Sequence, residues 1–280
     1  MFLMTPSDET NRAYVYCLGV AAERYAVDIL LPYAASTHEH IVLYDRDGRV
    51  SEFMEHFHKL FARCQNARLG RWEALWSSGE PCLTRLVDRQ TVIDKLVYAA
   101  TNPVKDLLVE KAHHWPGVNG YINLVAQRPL HARRPNHFFA ADGTMPEQVT
   151  LSLTIPAELG PAADVIAEVR AGVRAVEDNI RAHRAATGKR VVGRRAILAQ
   201  SWTSTPTSIE PRRTLRPRFA GGPDARIPAL ASFKQFLADY RDARRRWLAG
   251  ADVLFPSGTY WLARFASITV QPLTAPLPAL

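Results

Sequence analysis

The sequence predicts an α+β fold, and three observations carry that prediction. Apolar residues recur at helical spacing in three segments, and short runs rich in β-forming residues separate these segments. The resulting order is helix, strand, strand, helix, strand, helix, which favours a mostly antiparallel sheet packed against helices. At 280 residues the chain is long enough to bury a substantial core.

The first helix and the two strands after it come from residues 7–45. Ser7, Asp8 and Thr10 are candidate caps, and apolar residues then recur at helical spacing through "AYVYCLGVAA". The runs "VDILLPYAA" and "HIVLYD" flank a break at residues 36–37, and both predict strands.

The second helix, the third strand and the third helix follow. Residues 45–48 form a predicted turn, residues 50–69 a helix, and Gly70 its C-cap. "PCLTRLV" predicts a short strand. "DRQTVIDKLVYAATNP" predicts a helix that is capped near Asp88 and stopped by Pro103.

The second half of the chain has a different composition. We expect a domain over residues 1–120 and a basic accessory region of mixed helices and strands over residues 121–280. In the second region "EQVTLSLTIP" predicts a strand, and "DVLFPSGTYWLARF" a turn and a strand. Residues 161–187 and 232–250 predict helices, and residues 203–228 an exposed basic loop.

The positive charge is concentrated in that second region. Residues 1–120 hold 13 Lys and Arg against 15 Asp and Glu, whereas residues 121–280 hold 22 against 12. A basic half suggests a polyanionic partner such as nucleic acid. The runs that could touch a DNA backbone, or be merely solvated, are Lys189, Arg190, Arg194, Arg195, Arg244, Arg245 and Arg246.

Targeting and redox signals are weak. "MFLMTPSDETN" has no basic segment before an apolar one, and no apolar run approaches membrane length. The three cysteines are odd in number and widely spaced. The sequence therefore predicts a cytoplasmic protein with reduced thiols and no membrane partner.

The chain contains the pattern His-x-His twice. On a strand, residues i and i+2 share a face, so His38 and His40 would point the same way and supply half of a metal site. His56 and His58 lie in predicted helix, where the same spacing separates side chains by about 200°. His38 and His40 taken alone would equally suit ordinary strand-end histidines.

A later helix offers a third ligand and a reactive group. Tyr98 and Asn102 are at i and i+4, hence on one helical face. Taken singly, Tyr98 would be a core aromatic and Asn102 a residue at a helix end. Together with His38 and His40 they form a pattern that coincidence explains less well.

The segment "THEHIVLYDRDGRVSEFMEHFHKLFARCQNARLGRWEALW", followed by "LVYAATNPV" and "HHWPGV", resembles the HUH single-tyrosine transposases. It is most similar to the branch of REP-associated tyrosine transposases, over roughly residues 5–120. The resemblance implies a ferredoxin-like HUH domain with an antiparallel sheet. It also implies that Tyr98 is the nucleophile, and that His38, His40 and Asn102 hold Mg²⁺ or Mn²⁺.

The resemblance further implies an activity. Such enzymes nick single-stranded DNA, often at hairpin-forming repeats, and leave a 5′-phosphotyrosine and a free 3′-hydroxyl for strand transfer in DNA transposition. We expect a monomer or a homodimer. The alternatives are a catalytically inactive relative that binds hairpin or repeat DNA, and a metal-dependent hydrolase that uses the same two histidines.

This chain departs from the family pattern in three places. Glu39 replaces the usual hydrophobic residue between the histidines, and residues 36–37 replace the usual Met-Ser-Asn. Relatives also begin with an Arg-rich strand before the first helix, and we expect that N-terminal strand to be missing here. A charge at position 39 would face a packed layer, where it is costly unless paired.

Overall fold

A computed structural model describes residues 1–79, 81–207 and 217–272. Helices and strands alternate through most of these residues, so the fold is mixed α+β, as predicted. The helices are α1 (Asp8–Tyr25), α2 (Val50–Leu69), α3 (Arg89–Lys105), α4 (Tyr121–Val125), α5 (Ala162–Thr187), α6 (Arg194–Leu198), α7 (Pro223–Leu248) and α8 (Tyr260–Phe265). The strands are β1 (Val27–Ala34), β2 (Glu39–Asp45), β3 (Arg85–Leu86), β4 (Leu130–Arg133), β5 (Gln148–Leu151), β6 (Phe219–Ala220), β7 (Leu254–Phe255) and β8 (Thr269–Val270).

The chain divides into two compact units. The first unit comprises Met1–Glu80 with Ile93–Arg212, and the second comprises Pro81–Val92 with Arg213–Leu280. This division differs from the boundary expected after residue 120. Whether residues 1–120 act as a separate functional domain stays a prediction.

An antiparallel hairpin of β1 and β2 lies in the first unit. Val27 pairs with Asp45 at one end and Ala34 with Glu39 at the other, with a bulge between Ile29 and Leu31. Ile41 and Leu43 pack against a core that includes Tyr14 of α1 and Phe57 of α2. Because side chains alternate along a strand, the even-numbered residues of β2 face the opposite side of the hairpin.

The ends of α1 and α2 are fixed by local hydrogen bonds. The Ser7 hydroxyl accepts a hydrogen bond from the Thr10 backbone N–H, so Ser7 is the N-cap of α1. The Asp45 carboxylate accepts hydrogen bonds from the backbone N–H groups of Arg49 and Val50 at the start of α2. Gly70 ends α2 in the left-handed conformation, as the sequence predicts.

Helix α3 extends two residues beyond the predicted stop. Pro103 lies inside the helix, which ends at Lys105. Proline removes only its own backbone N–H, and helical bonding continues past it, since the Asp106 N–H donates to the Asn102 carbonyl. The prediction that Pro103 stops the helix was therefore wrong by two residues.

Residues beyond 121 complete the core of the first unit. Strands β4 and β5 pair antiparallel, and Ala132, Val149 and Leu151 belong to the same buried cluster as Tyr14. The sequence predicted a strand over residues 147–156, and β5 occupies part of it. Strand β4 was not predicted, because arginine, proline and histidine residues surround its four positions.

The second unit differs from the sequence-based expectations. Strand β3 is two residues long and pairs in parallel with β6, rather than joining an antiparallel sheet. Strands β7 and β8 also pair in parallel, and "TYWLARF" contains helix α8 instead of the predicted strand. Helix α7 begins at Pro223 and thus includes part of the predicted loop, of which residues 208–216 lie outside the described residues.

No helix within the described residues is long and apolar enough to span a membrane.

Candidate functional site

His38 and His40 lie together on one side of the hairpin. His40 is in β2 opposite Tyr33, and His38 directly precedes the strand. Their ring centroids are 5.1 Å apart. The ring of Tyr33 stacks on His40 at 6.1 Å and meets His38 at 6.3 Å, so this buried tyrosine supports both imidazoles from the neighbouring strand.

Helix α3 places Asn102 and Tyr98 against His40. The Asn102 amide nitrogen is 3.3 Å from His40 Nε2. The Tyr98 ring lies edge-on to His40, with centroids 5.2 Å apart. One helical turn separates Asn102, which is 5% exposed, from Tyr98, which is 40% exposed, so the phenol is the accessible member of the group.

Asn102 has an unused acceptor. Its side-chain oxygen is buried and has no hydrogen-bond partner within the part of the chain that the structure describes. A buried polar atom without a partner is costly, and such atoms often mark a functional role or an ion. The oxygen belongs to the same amide that approaches His40.

The environment of His40 keeps its imidazole neutral. Burial, the neighbouring His38 and the positive charge of Lys95 together lower the pKa of His40 to about 4. A neutral imidazole presents the lone pair that a metal ion binds. Two imidazoles and an amide oxygen are therefore donors of the kinds that bind divalent cations in proteins.

Two lysines flank the ring of Tyr98, and the sequence reasoning missed both. The ammonium of Lys105 is 4.6 Å from the ring centroid and that of Lys95 is 5.5 Å away. Burial and then the charge of Lys95 lower the pKa of Lys105. Their spacing from Tyr98, three residues before it and seven after it, is the signal that could have found them.

The motif "WPG" supports Tyr33, the residue that packs against the two imidazoles. The Trp115 indole N–H donates to the carbonyl of Ala34, 3.0 Å away, at the end of the strand that carries Tyr33. Trp115 also packs on the Tyr33 ring at 5.9 Å. A Cβ on Gly117 would lie 2.5 Å from the indole nitrogen, so only glycine fits this close approach.

Glu39 points away from His38 and His40, toward α1 and α2. Its carboxylate lies 2.5 Å from His58 Nε2 and accepts a hydrogen bond of 2.8 Å from the Tyr14 hydroxyl. The charge expected to be costly in a packed layer is therefore paired. His58 acts in the structure as a partner of Glu39, and His56 on the same helix packs against Tyr25.

The predicted basic runs fall into both units. The backbone N–H groups of Val192 and Gly193 donate to Leu107 and Leu108, which places the exposed side chains of Lys189, Arg190, Arg194 and Arg195 on a segment beside the end of α3. Arg244, Arg245 and Arg246 belong to α7 in the second unit. Arg245 and Arg246 form ion pairs with Asp242, at 2.5 Å and 3.9 Å.

The candidate metal centre consists of His38, His40 and Asn102. Across residues 1–79, 81–207 and 217–272 there is no cluster of three or more His, Cys, Asp or Glu side chains that could hold a metal ion. The predicted set has two such residues and an asparagine.

Comparisons with protein-family models, with curated proteins and with solved structures found no significant match.

Proposed function

We propose that the chain is a single-stranded DNA endonuclease and strand transferase of the HUH single-tyrosine type, acting in DNA transposition. One observation carries the proposal: Tyr98 and Asn102 of α3 meet His40, which lies 62 positions before Asn102, on one side of the β1–β2 hairpin. The exposed phenol lies beside the half-buried imidazole of His40 and the buried amide of Asn102, which is the arrangement that attack on a phosphodiester requires.

Tyr98 is the nucleophile of the proposed reaction. Its phenolic oxygen forms a bond to phosphorus while the bond from phosphorus to the 3′-oxygen breaks. The products are a 5′-phosphotyrosine and a strand that ends in a 3′-hydroxyl, with the phenolic proton passing to the leaving oxygen through solvent or a nearby base. A free 3′-hydroxyl reverses the reaction and joins a new strand, because the phosphotyrosine conserves the bond.

His38, His40 and Asn102 would hold Mg²⁺ or Mn²⁺. When bound there, the cation would neutralise charge on the non-bridging oxygens of the phosphate. The Tyr33 ring packs against both imidazoles and Trp115 packs against Tyr33, so the donors are arranged before a ligand arrives.

Lys95 and Lys105 assist the phenol. Their ammonium groups lie 5.5 Å and 4.6 Å from the centroid of the Tyr98 ring, where they attract negative charge on the phenolic oxygen and on the incoming phosphate. The exposed basic segment of residues 189–195, beside the end of α3, extends this positive surface toward a DNA backbone.

The finer fold assignment is part of the proposal. A ferredoxin-like HUH domain would carry its histidines on a sheet strand and its tyrosine on a helix across the sheet. The hairpin of β1 and β2, with α1 and α2 on one face and the Asn102 side of α3 on the other, supports that assignment. A hydrolase reusing the histidines would need a carboxylate ligand and would leave the exposed Tyr98 without a role.

A covalent adduct tests the proposal. The protein is incubated with a hairpin-bearing single strand and Mn²⁺ and then resolved on a denaturing gel. The wild type should give a protein–DNA adduct, and Tyr98→Phe should give none while it binds the same strand with unchanged affinity.

Two results contradict the proposal. Cleavage at the wild-type rate by Tyr98→Phe would make water the nucleophile and favour the hydrolase. Tight binding with no adduct from the wild type, in Mg²⁺ or Mn²⁺, would identify the inactive DNA-binding relative.

A further inference from the structure

The second unit exposes two aromatic rings on helix α8. The side chains of Trp261 and Phe265 are one helical turn apart, and their ring centroids are 4.6 Å from each other. Trp261 is 57% exposed and Phe265 is 69% exposed. On the same helix Leu262 packs against the small core of Ala243, Val253 and Phe255, so α8 is anchored by Leu262 and presents the two rings outward.

The unit that carries the ring pair is basic. The second unit holds 12 Lys and Arg against 5 Asp and Glu, a net charge of +7. Arg264 lies between the two rings in sequence. Helix α7 packs through Ala243 on the core that anchors α8, and Arg244 and Arg246 follow Ala243 in the same helix.

We infer that the Trp261–Phe265 pair is a stacking platform for the bases of single-stranded DNA. Every base offers a π-face to an exposed aromatic ring, and arginines attract the phosphates between the bases. A second copy of the chain is a poorer occupant, because two surfaces of like positive charge repel. A lipid surface is poorer too, since α8 has six residues, fewer than membrane-surface helices commonly have.

The inference deepens the proposed function, and its choice of DNA over RNA rests on that function. It assigns to the second unit a binding site that does not include Tyr98. DNA binding can be measured without DNA cleavage, so the experiment uses the full chain carrying Tyr98→Phe in the absence of divalent cations.

The experiment measures the affinity for an oligothymidylate of about 16 nucleotides, a length of the order of known single-strand sites. The double variant, which carries Trp261→Ala and Phe265→Ala, should bind the oligothymidylate about 10- to 100-fold more weakly. Trp261→Phe with Phe265 retained should keep most of the affinity. The matched control is Trp72→Ala, a 95% exposed tryptophan of the first unit, which should leave the affinity unchanged.

A strand of the same length without bases separates stacking from charge. The double variant should bind this strand as the wild type does, because the arginines remain. As a second measurement, the oligothymidylate should quench tryptophan fluorescence in the wild type and in Trp72→Ala, and quench it less in Trp261→Phe.

Four outcomes would overturn the inference: unchanged affinity of the double variant for oligothymidylate, equal losses for strands with and without bases, a ring-dependent preference for oligouridylate RNA, or ring-dependent binding to anionic vesicles in place of DNA. If ring-dependent binding is found but wild-type protein forms no adduct, only the proposed chemistry at Tyr98 fails.

Discussion

The pattern His-x-His occurs twice in the first unit, and the two copies have different surroundings. His38 and His40 lie at β2 with ring centroids 5.1 Å apart. His56 and His58 lie in α2 and diverge: His58 meets Glu39, whereas His56 packs on Tyr25 and its Nε2 has no hydrogen-bond partner within the described residues. Identical spacing therefore brings the imidazoles together at a strand and separates them on a helix.

The two pairs also differ in what completes them. The strand pair, His38 and His40, lies beside the exposed Tyr98 and the amide of Asn102, whose oxygen has no hydrogen-bond partner among the residues that the structure describes. In the helix pair, His56 and His58, the imidazole of His58 instead meets the carboxylate of Glu39, which points from β2 toward the core, and the ring of Trp76 at 4.5 Å. We infer that the strand pair serves chemistry and the helix pair serves packing, and each prediction below can break that distinction.

The largest expected difference is in adduct formation. His40→Ala should lower the rate of adduct formation by about 100-fold or more, since charge neutralisation by a bound cation is worth several kcal/mol. His56→Ala should change the rate by less than about twofold, provided that melting confirms its fold. Equal losses in the two variants would remove the distinction between the pairs.

The free energy of unfolding should show the opposite order, with a larger loss from a change in the helix pair than from one in the strand pair. His58→Ala leaves the Glu39 carboxylate without one of its partners and should cost about 1–3 kcal/mol in the free energy of unfolding. His38→Ala, at the partly exposed start of the strand, should cost less than about 0.5 kcal/mol. Urea denaturation of both variants measures this, and a larger loss for His38→Ala would assign the strand pair to structure.

The smallest expected effect concerns the lysines beside Tyr98. Lys105→Met keeps most of the side-chain volume but removes the ammonium nearest the ring, and should slow adduct formation about 3- to 10-fold, an effect of roughly 1 kcal/mol. Lys59→Met, on the helix that carries the other histidine pair, is the matched control. Faster adduct formation in Lys105→Met would show that the charge opposes the reaction.

Much of the first unit could be predicted from the sequence. The period of apolar residues located α1, α2 and α5, and Ser7 and Gly70 marked helix ends. The alignment of Tyr98 with Asn102 needs only the helical repeat, because it is local. The approach of Asn102 to His40 across 62 positions was suggested by resemblance and is a geometric fact of the structure.

Other features depend on contacts between distant segments. Strand β3 is defined by pairing with β6, more than 130 positions away, and two residues carry no periodic signal. Helix α8 combines aromatic residues that favour strands, and its Leu262 packs on a core formed by Ala243, Val253 and Phe255 from other segments. The pairing of Glu39 with His58 required the relative placement of β2 and α2, which the sequence alone does not supply.

Direct measurement of Mn²⁺ binding tests the central claim. Free Mn²⁺ gives a strong electron paramagnetic resonance signal that decreases when the ion binds protein, so the wild type, His40→Ala and His56→Ala can be titrated at one pH. We predict one site in the wild type and in His56→Ala, and loss of that site in His40→Ala. Equal Mn²⁺ binding by all three proteins would contradict the assignment of His38, His40 and Asn102 as the metal centre.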